Sequence, residues 1–207
     1  LGLLYDVDMR LRPSGNAGLL VCHVNGFATY ETENAWTWEH QALGRARFIM
    51  GCRELYERFS KVRLAVLSKP RVIVELAEAV VTMREKMRAY LSKGDAENID
   101  LKQDAGGIAD IEFIVQFMLL AHTSSFPSLA KWPDNVRILV DLATLSLITK
   151  SEADTLTQAY LEYRNYAHRL ALQNSALATV NASLVELQTK VKAIWNKYLI
   201  DMQREPD

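Results

Sequence analysis

Asp8 stands between Val7 and Met9 in the apolar run LLYDVDMRL, residues 3–11. This hydrophobic-acid-hydrophobic form aims a carboxylate from a strand into a cleft. Alternation along an extended chain sends Asp6, Asp8 and Arg10 to one face, with Val7, Met9 and Leu11 on the other. Arg12-Pro13 follows directly. Carboxylates hold magnesium and arginines pair bidentately with phosphate oxygens, so the set suits a site for metal and phosphate. It equally suits a solvated edge strand carrying an Asp–Arg pair, and the residues alone leave both open.

Two later segments carry further candidates. Trp36-Thr37-Trp38-Glu39-His40-Gln41, followed by Arg45 and Arg47, describes a helix with Trp38 on one face and Glu39 on the other. Such a helix packs on a sheet while offering polar groups to a cleft. Tryptophans at this spacing read first as core, and His40 as a structural or surface histidine. In IDLKQDAGGIADIEFIVQ, residues 99–116, Asp100 and Lys102 precede a Gly106-Gly107 turn, and Asp110 and Glu112 lie just inside the next helix. Acids there are favoured by the helix dipole. A Gly-Gly turn at a helix start can cradle phosphate, but this one lacks the Gly-Lys-Ser/Thr of a P-loop. Capping and close backbone packing is the preferred reading.

The elements that must position these residues are mostly helical. Residues 3–11 and 18–24 read as strands, with a turn at Pro13-Ser14-Gly15-Asn16 between them. Phe27, Tyr30, Asn34, Trp38, Ala42, Arg45 and Ile49 then mark one helical stripe ending near Gly51. Leu55, Phe59, Val62 and Val66 make a shorter helix that stops before Pro70, the candidate domain boundary. Beyond it come a face of Leu76, Val80, Met83, Met87 and Leu91, and a helix from Ile108 to His122 that is apolar nearly all round and hence central. Val136, Leu139, Val140, Ala143 and Leu147 follow. Ser151-Glu152-Ala153-Asp154 reads as an N-cap sequence for a seam of Ala153, Leu156, Tyr160, Tyr163, Ala167 and Leu170. Leu184, Leu187, Val191, Ile194 and Tyr198 form a last seam. Such seams are what antiparallel helices in a bundle require.

Composition narrows the class. Charges nearly cancel, 24 Lys+Arg against 25 Asp+Glu, so nothing suggests a nucleic-acid tail or a polybasic membrane patch. No apolar run reaches the ~18 residues of a membrane span. The two cysteines, Cys22 and Cys52, form no CxxC and no Cys/His cluster, which fits a reducing cytoplasm without a zinc site or disulfide framework. The chain opens at Leu1 inside an apolar run and reads as a piece of something longer.

Taken in order, LLYDVDMRLRPSGNAGLLV, WTWEHQALGRARFIMG and DLKQDAGGIADIEFIVQ, with WPDNVRIL at 132–139, resemble bacterial glutamine-synthetase adenylyltransferases essentially end to end. The wording WTWEHQAL resembles the adenylyl-attaching half of that bifunctional family. The resemblance implies a fold that is mainly α: a small β-hairpin remnant of a nucleotidyltransferase α/β domain in residues 1–67, incomplete, followed by a helical bundle over 68–207. It implies an enzyme that moves AMP from ATP onto a tyrosine of glutamine synthetase, with Mg2+ as cofactor. It further implies the PII signal protein as a partner and glutamine as an effector.

In the superfamily a Gly-Ser turn and an Asp-x-Asp pair precede a third acid on a neighbouring strand. Asp8 matches that third acid, which implies a catalytic, metal-holding role for it. Arg10 and Arg12 become candidates for holding phosphate or bracing Asp8, and Lys102 a candidate pointing toward the nucleotide. The upstream turn and acid pair have no counterpart in this sequence, so the chain alone is expected to be inactive. Cys22-His23 depart from the small polar residues expected there. A helical module that binds glutamine synthetase or the PII signal protein is the alternative.

Overall fold

The structure, a computed structural model, describes residue 9 and residues 12–203. Eight α-helices account for most of those residues: α1 (Val24–Glu33), α2 (Thr37–Arg45), α3 (Arg53–Leu67), α4 (Ile73–Leu91), α5 (Ile108–His122), α6 (Asn135–Thr144), α7 (Lys150–Leu172) and α8 (Ala182–Trp195). The mainly α reading is therefore right. Among the described residues no helix is long and apolar enough to cross a membrane.

α5 is the axis of the molecule. Ile111, Ile114, Val115, Phe117, Met118, Leu119 and Leu120 are all buried, and α2, α4, α6, α7 and α8 each pack against this helix. A helix apolar on every side must be surrounded on every side. The long last helices contribute the seams read from their spacing: Leu156, Tyr160 and Tyr163 on α7, and Leu184, Leu187, Val191 and Ile194 on α8, continuing to Tyr198 in the wider turn Asn196–Ile200. Leu170 sits half-buried at the edge of this core.

Several details differ from expectation, each for a local reason. The stripe from Phe27 to Ile49 is two helices. The N–H groups of Asn34 and Ala35 both donate to the Tyr30 carbonyl at 2.9 Å, which closes α1. The Glu39 carboxylate accepts from the Trp36 N–H at 2.9 Å, which restarts the chain as α2. On α4 the buried face runs through Leu76, Ala77, Val80 and Val81 to Arg84, so Leu91 is exposed. On α6 the inward side chains are Ile138, Leu139 and Leu142, leaving Val140 exposed.

Residues 18–24 are not a strand. A strand needs a hydrogen-bonded neighbour, and among the described residues none runs beside them. Leu19, Leu20 and Val21 are exposed, and His23 already caps α1, its Nδ1 accepting from the Asn25 N–H at 3.2 Å. The companion strand expected at 3–11 lies outside the described residues, except for exposed Met9. Among the described residues the one strand pair is β1 (Asn98–Ile99) with β2 (Ala178–Thr179), antiparallel, Ile99 opposite Ala178. It ties the loop before α5 to the loop before α8.

α7 is capped two residues earlier than expected, before Ser151. Thr149 is the N-cap: its hydroxyl accepts from the Glu152 N–H at 3.2 Å and its own N–H donates to Glu152 at 2.8 Å, a capping box. Burial would raise the Glu152 carboxyl, but hydrogen bonds from Lys197, Thr149 and Tyr198 pull it down to about 2. Replacing Thr149 with Ala removes one half of the box. A loss of about 1 kcal/mol is expected, read from the urea midpoint.

Candidate functional site

The turn expected at Pro13–Asn16 is present. Ser14 and Gly15 take left-handed backbone, φ 61° and 53°, and the Gly15 N–H closes onto the Arg12 carbonyl at 2.8 Å. Gly18 lies against this turn so closely that a Cβ there would fall 1.9 Å from the Pro13 oxygen. The turn holds Arg12, whose guanidinium donates to the Met9 and Gly18 carbonyls. Asp8 and Arg10 lie outside the described residues.

Arg12 and Pro13 form one wall of a cleft of about 320 Å³, completed by Phe27 and Glu31 of α1, Glu39, Ala42, Leu43 and Arg45 of α2, Ala46, and Phe59 of α3. The two aromatic rings stack with centroids 6.1 Å apart. The polar groups on the wall differ in how far they are engaged. Glu39 accepts from the Tyr30 hydroxyl at 2.7 Å and from the Trp36 N–H, a bond that raises the Tyr30 hydroxyl above its ordinary range. Arg45 reaches away from the cleft, 2.6 Å from Asn135 Oδ1 and 3.5 Å from Glu112 Oε1.

Glu31 is different. It is 7% exposed, and its Oε2 is buried without a hydrogen-bond partner among the described residues. Burial first, and the neighbouring Glu39 charge second, push its carboxyl up to about 7. Its main chain is pinned from behind: His40 Nε2 donates to the Glu31 carbonyl at 2.8 Å, while His40 Nδ1 accepts from Arg71 at 3.4 Å. Burial holds that imidazole below its ordinary range, helped by Arg71 and Lys69. His40 is thus a buried structural histidine, as its type suggested. Of the tryptophans read as core, Trp38 is half-buried and Trp36 is largely exposed. Position explains Trp36: it precedes the first turn of α2, outside the packed face.

The Gly-Gly segment is close packing. Gly106 has φ +80°, and a Cβ there would lie 2.4 Å from the Gln188 carbonyl oxygen of α8. At Gly107 a Cβ would lie 2.6 Å from the Leu101 oxygen. Only glycine permits both the conformation and the approach. Asp110, one turn on, accepts from the Gly106 N–H at 2.7 Å and from Arg84 Nε at 2.7 Å, with Arg88 at 3.0 and 3.1 Å. Asp100 accepts from the N–H groups of Lys102 and Gln103, both at 3.0 Å. The Lys102 side chain is exposed and does not line the cleft beside Arg12.

The separate motif segments do meet, through side chains on α2, α5 and α6, with α7 adding Tyr160. Gln41 donates to Gln116 at 3.3 Å, Arg45 joins Glu112 and Asn135, and the Tyr160 hydroxyl reaches Glu112 at 3.4 Å. Sequence reasoning missed Asn135 and Glu31. For Glu31 a signal existed: it stands four residues after Phe27, on the apolar face of α1.

Among the described residues no three His, Cys, Asp or Glu side chains converge to hold a metal ion. Asp8, the residue expected to hold magnesium, lies outside the described residues.

Comparison with known proteins agrees with these segments. A family model described as glutamate-ammonia ligase adenylyltransferase matches residues 1–62, and one described as GlnD PII-uridylyltransferase matches residues 77–179. The chain is 50% identical over 198 residues to the bifunctional glutamine synthetase adenylyltransferase/adenylyl-removing enzyme of Shewanella loihica, covering 96% of this chain and 21% of that relative. It is 46% identical over 200 residues to the enzymes of the same name from Idiomarina loihiensis and Shewanella woodyi, covering 97% of this chain and 21% of each. The chain spans about a fifth of the length of these curated relatives.

Proposed function

Because the chain belongs to the glutamine synthetase adenylyltransferase family, we propose that it forms part of an enzyme that transfers AMP from ATP to a tyrosine of glutamine synthetase in the cytoplasm. Its share of that enzyme would be the end of the catalytic domain, residues 1–67, and the helical domain that follows, 68–207. The observation that carries the reading is identity of 50% over 198 residues, 96% of the chain. The two family matches end and begin on either side of Pro70, which supports the division.

In this reading Asp8 is the third carboxylate of a magnesium site, joined by two acids from elsewhere in the longer enzyme. Bound magnesium would neutralise phosphate charge and acidify the tyrosine hydroxyl, whose ordinary pKa is about 10. Arg10 and Arg12 hold phosphate or brace Asp8, and Lys102 serves the nucleotide side. Exchanging Asp8 for Asn keeps the shape and removes the charge. In the intact enzyme AMP transfer should fall by more than about tenfold with ATP affinity kept, because the lost interaction belongs to the transition state. Labelled-AMP incorporation and ATP binding would be measured together, with the 207-residue chain alone as a control expected to incorporate none. Transfer within about tenfold of wild type, or ~1.4 kcal/mol, would make Asp8 an ordinary strand residue.

A second reading draws on the match of residues 77–179 to a PII-uridylyltransferase model. There the helical part is an interaction module for glutamine synthetase or the PII signal protein, with glutamine acting as effector on the longer enzyme. Retention of either protein by the immobilised chain would favour it.

A further inference from the structure

We propose that the cleft between α1, α2 and α3 is a base pocket that takes adenine, with the Glu31 carboxyl as the group that reads its edge. This rests on the AMP-transfer reading and deepens it. The wall offers flat apolar surface from Phe27, Phe59, Pro13 and Leu43 around about 320 Å³, within the roughly 300–1,000 Å³ of small-molecule sites. Its other polar groups are engaged elsewhere: Glu39 by Tyr30 and Trp36, Arg45 by Glu112 and Asn135, and Arg12 by two backbone carbonyls. Among the described residues, Glu31 Oε2 is the buried atom of this wall left over. A buried polar atom in a cleft wall is a demand for a partner.

The protonation state of Glu31 decides which partner. A carboxylic acid presents one O–H donor beside one acceptor. Adenine presents the complement, an exocyclic amine donor beside a ring-nitrogen acceptor, as in its pairing with Asn or Gln amides. An ionised carboxylate presents acceptors only, and suits the adjacent N–H donors of guanine instead. Burial and the Glu39 charge place the Glu31 transition at about 7. The charged and titratable groups around it are Glu39 and Tyr30, Arg12 and Arg45 on the cleft wall, and His40 behind its main chain. The acid form prevails below neutrality and selects adenine.

The test is a ligand-observed NMR titration of the 207-residue chain with adenosine and guanosine, which lack phosphates and so report on the base alone. Adenosine affinity should fall about tenfold from about pH 6 to about pH 8, following the protonated fraction of a group titrating near 7. Guanosine should show no such fall. Glu31→Gln should keep adenosine affinity and lose its pH dependence, since an amide keeps donor and acceptor together. Glu31→Ala should weaken adenosine about tenfold at the lower pH. Unchanged adenosine affinity in Glu31→Ala, a flat wild-type profile, or no binding of either nucleoside at millimolar concentration would overturn the proposal. The wild-type profile needs no variant to fold. Failure here alongside AMP transfer that depends on Asp8 in the intact enzyme would remove only the base pocket. Success here with transfer indifferent to Asp8 would remove the transfer reading and leave an adenine site.

Discussion

Asp110→Ala is expected to destabilise the chain by about 3–5 kcal/mol, the cost of leaving one member of a buried ion pair alone. The Arg84 side chain is 0% exposed and that of Asp110 2%, so water cannot take over either role. Burial pulls the Arg84 guanidinium below its usual range while Asp110 opposes that pull. Without the carboxylate, Arg84 would keep only its bonds to Gln103, the main-chain oxygen at 2.7 Å and Oε1 at 3.4 Å. The Gly106 N–H, which donates to Asp110, would also lose its acceptor. Against a total stability of about 5–15 kcal/mol, this is a large part of the whole. Urea unfolding followed by helical circular dichroism would measure it. Adding Arg84→Met to Asp110→Ala should recover part of the loss, because the orphaned charge goes too. A loss under about 1 kcal/mol in the single variant would mean that solvent reaches the pair.

Glu31 should make stability fall as pH rises through the acid-to-neutral range. Its folded carboxyl sits at about 7, above the ordinary 4.5, so the native state keeps a proton that the unfolded chain has released. Stability from this group is full below about 4.5, declines up to about 7 and is then constant. A difference of this size amounts to roughly 3 kcal/mol. Two histidines work the other way in the same window: His40 and His122, both held below their ordinary range by burial, favour the fold as pH rises. The quantity to measure is therefore the difference between wild type and Glu31→Gln, by urea midpoints at about pH 5 and about pH 8. The Gln variant should gain on wild type by up to roughly 3 kcal/mol at the higher pH. Equal pH responses would show that Glu31 is ionised and solvated in the fold.

Period and composition revealed the helices because a helix buries a stripe, and a stripe repeats. α5, α7 and α8 follow their apolar spacing closely, and the glycine pair is close packing as read, since its neighbours leave no room for a side chain. On α3 the expected stripe holds only at Val66, with Leu55 exposed and Arg63 and Leu67 buried instead. What was hidden was polar and non-local. Arg84 falls on the buried face of α4, four residues after Val80, but its charge reads as solvent-facing, and its partner Asp110 lies on another helix. The break between α1 and α2 hinges on a carboxylate reaching back to Trp36, which an apolar stripe does not register. The supposed strand at 18–24 has strand-like residues but no neighbour among the described residues. β-preference describes fitness for a sheet and does not supply one. The candidate site was half legible: Arg12 came from its motif, whereas Glu31 needed three helices to enclose it.

Arg63 is buried yet answers no carboxylate. Its guanidinium donates to three main-chain oxygens, those of Leu43 and Gly44 at the end of α2 and that of Ala130 before α6. Every amino acid carries such an oxygen, so no exchange of side chain at 43, 44 or 130 can delete an acceptor. This contact therefore sets no requirement on the side chains at the three positions, while it fixes the arginine. Paired substitutions across this junction would leave no trace of the contact in a set of related sequences. A map of contacts inferred from co-variation would be blank at one of the joints that hold α2 and α3 to the chain ahead of α6.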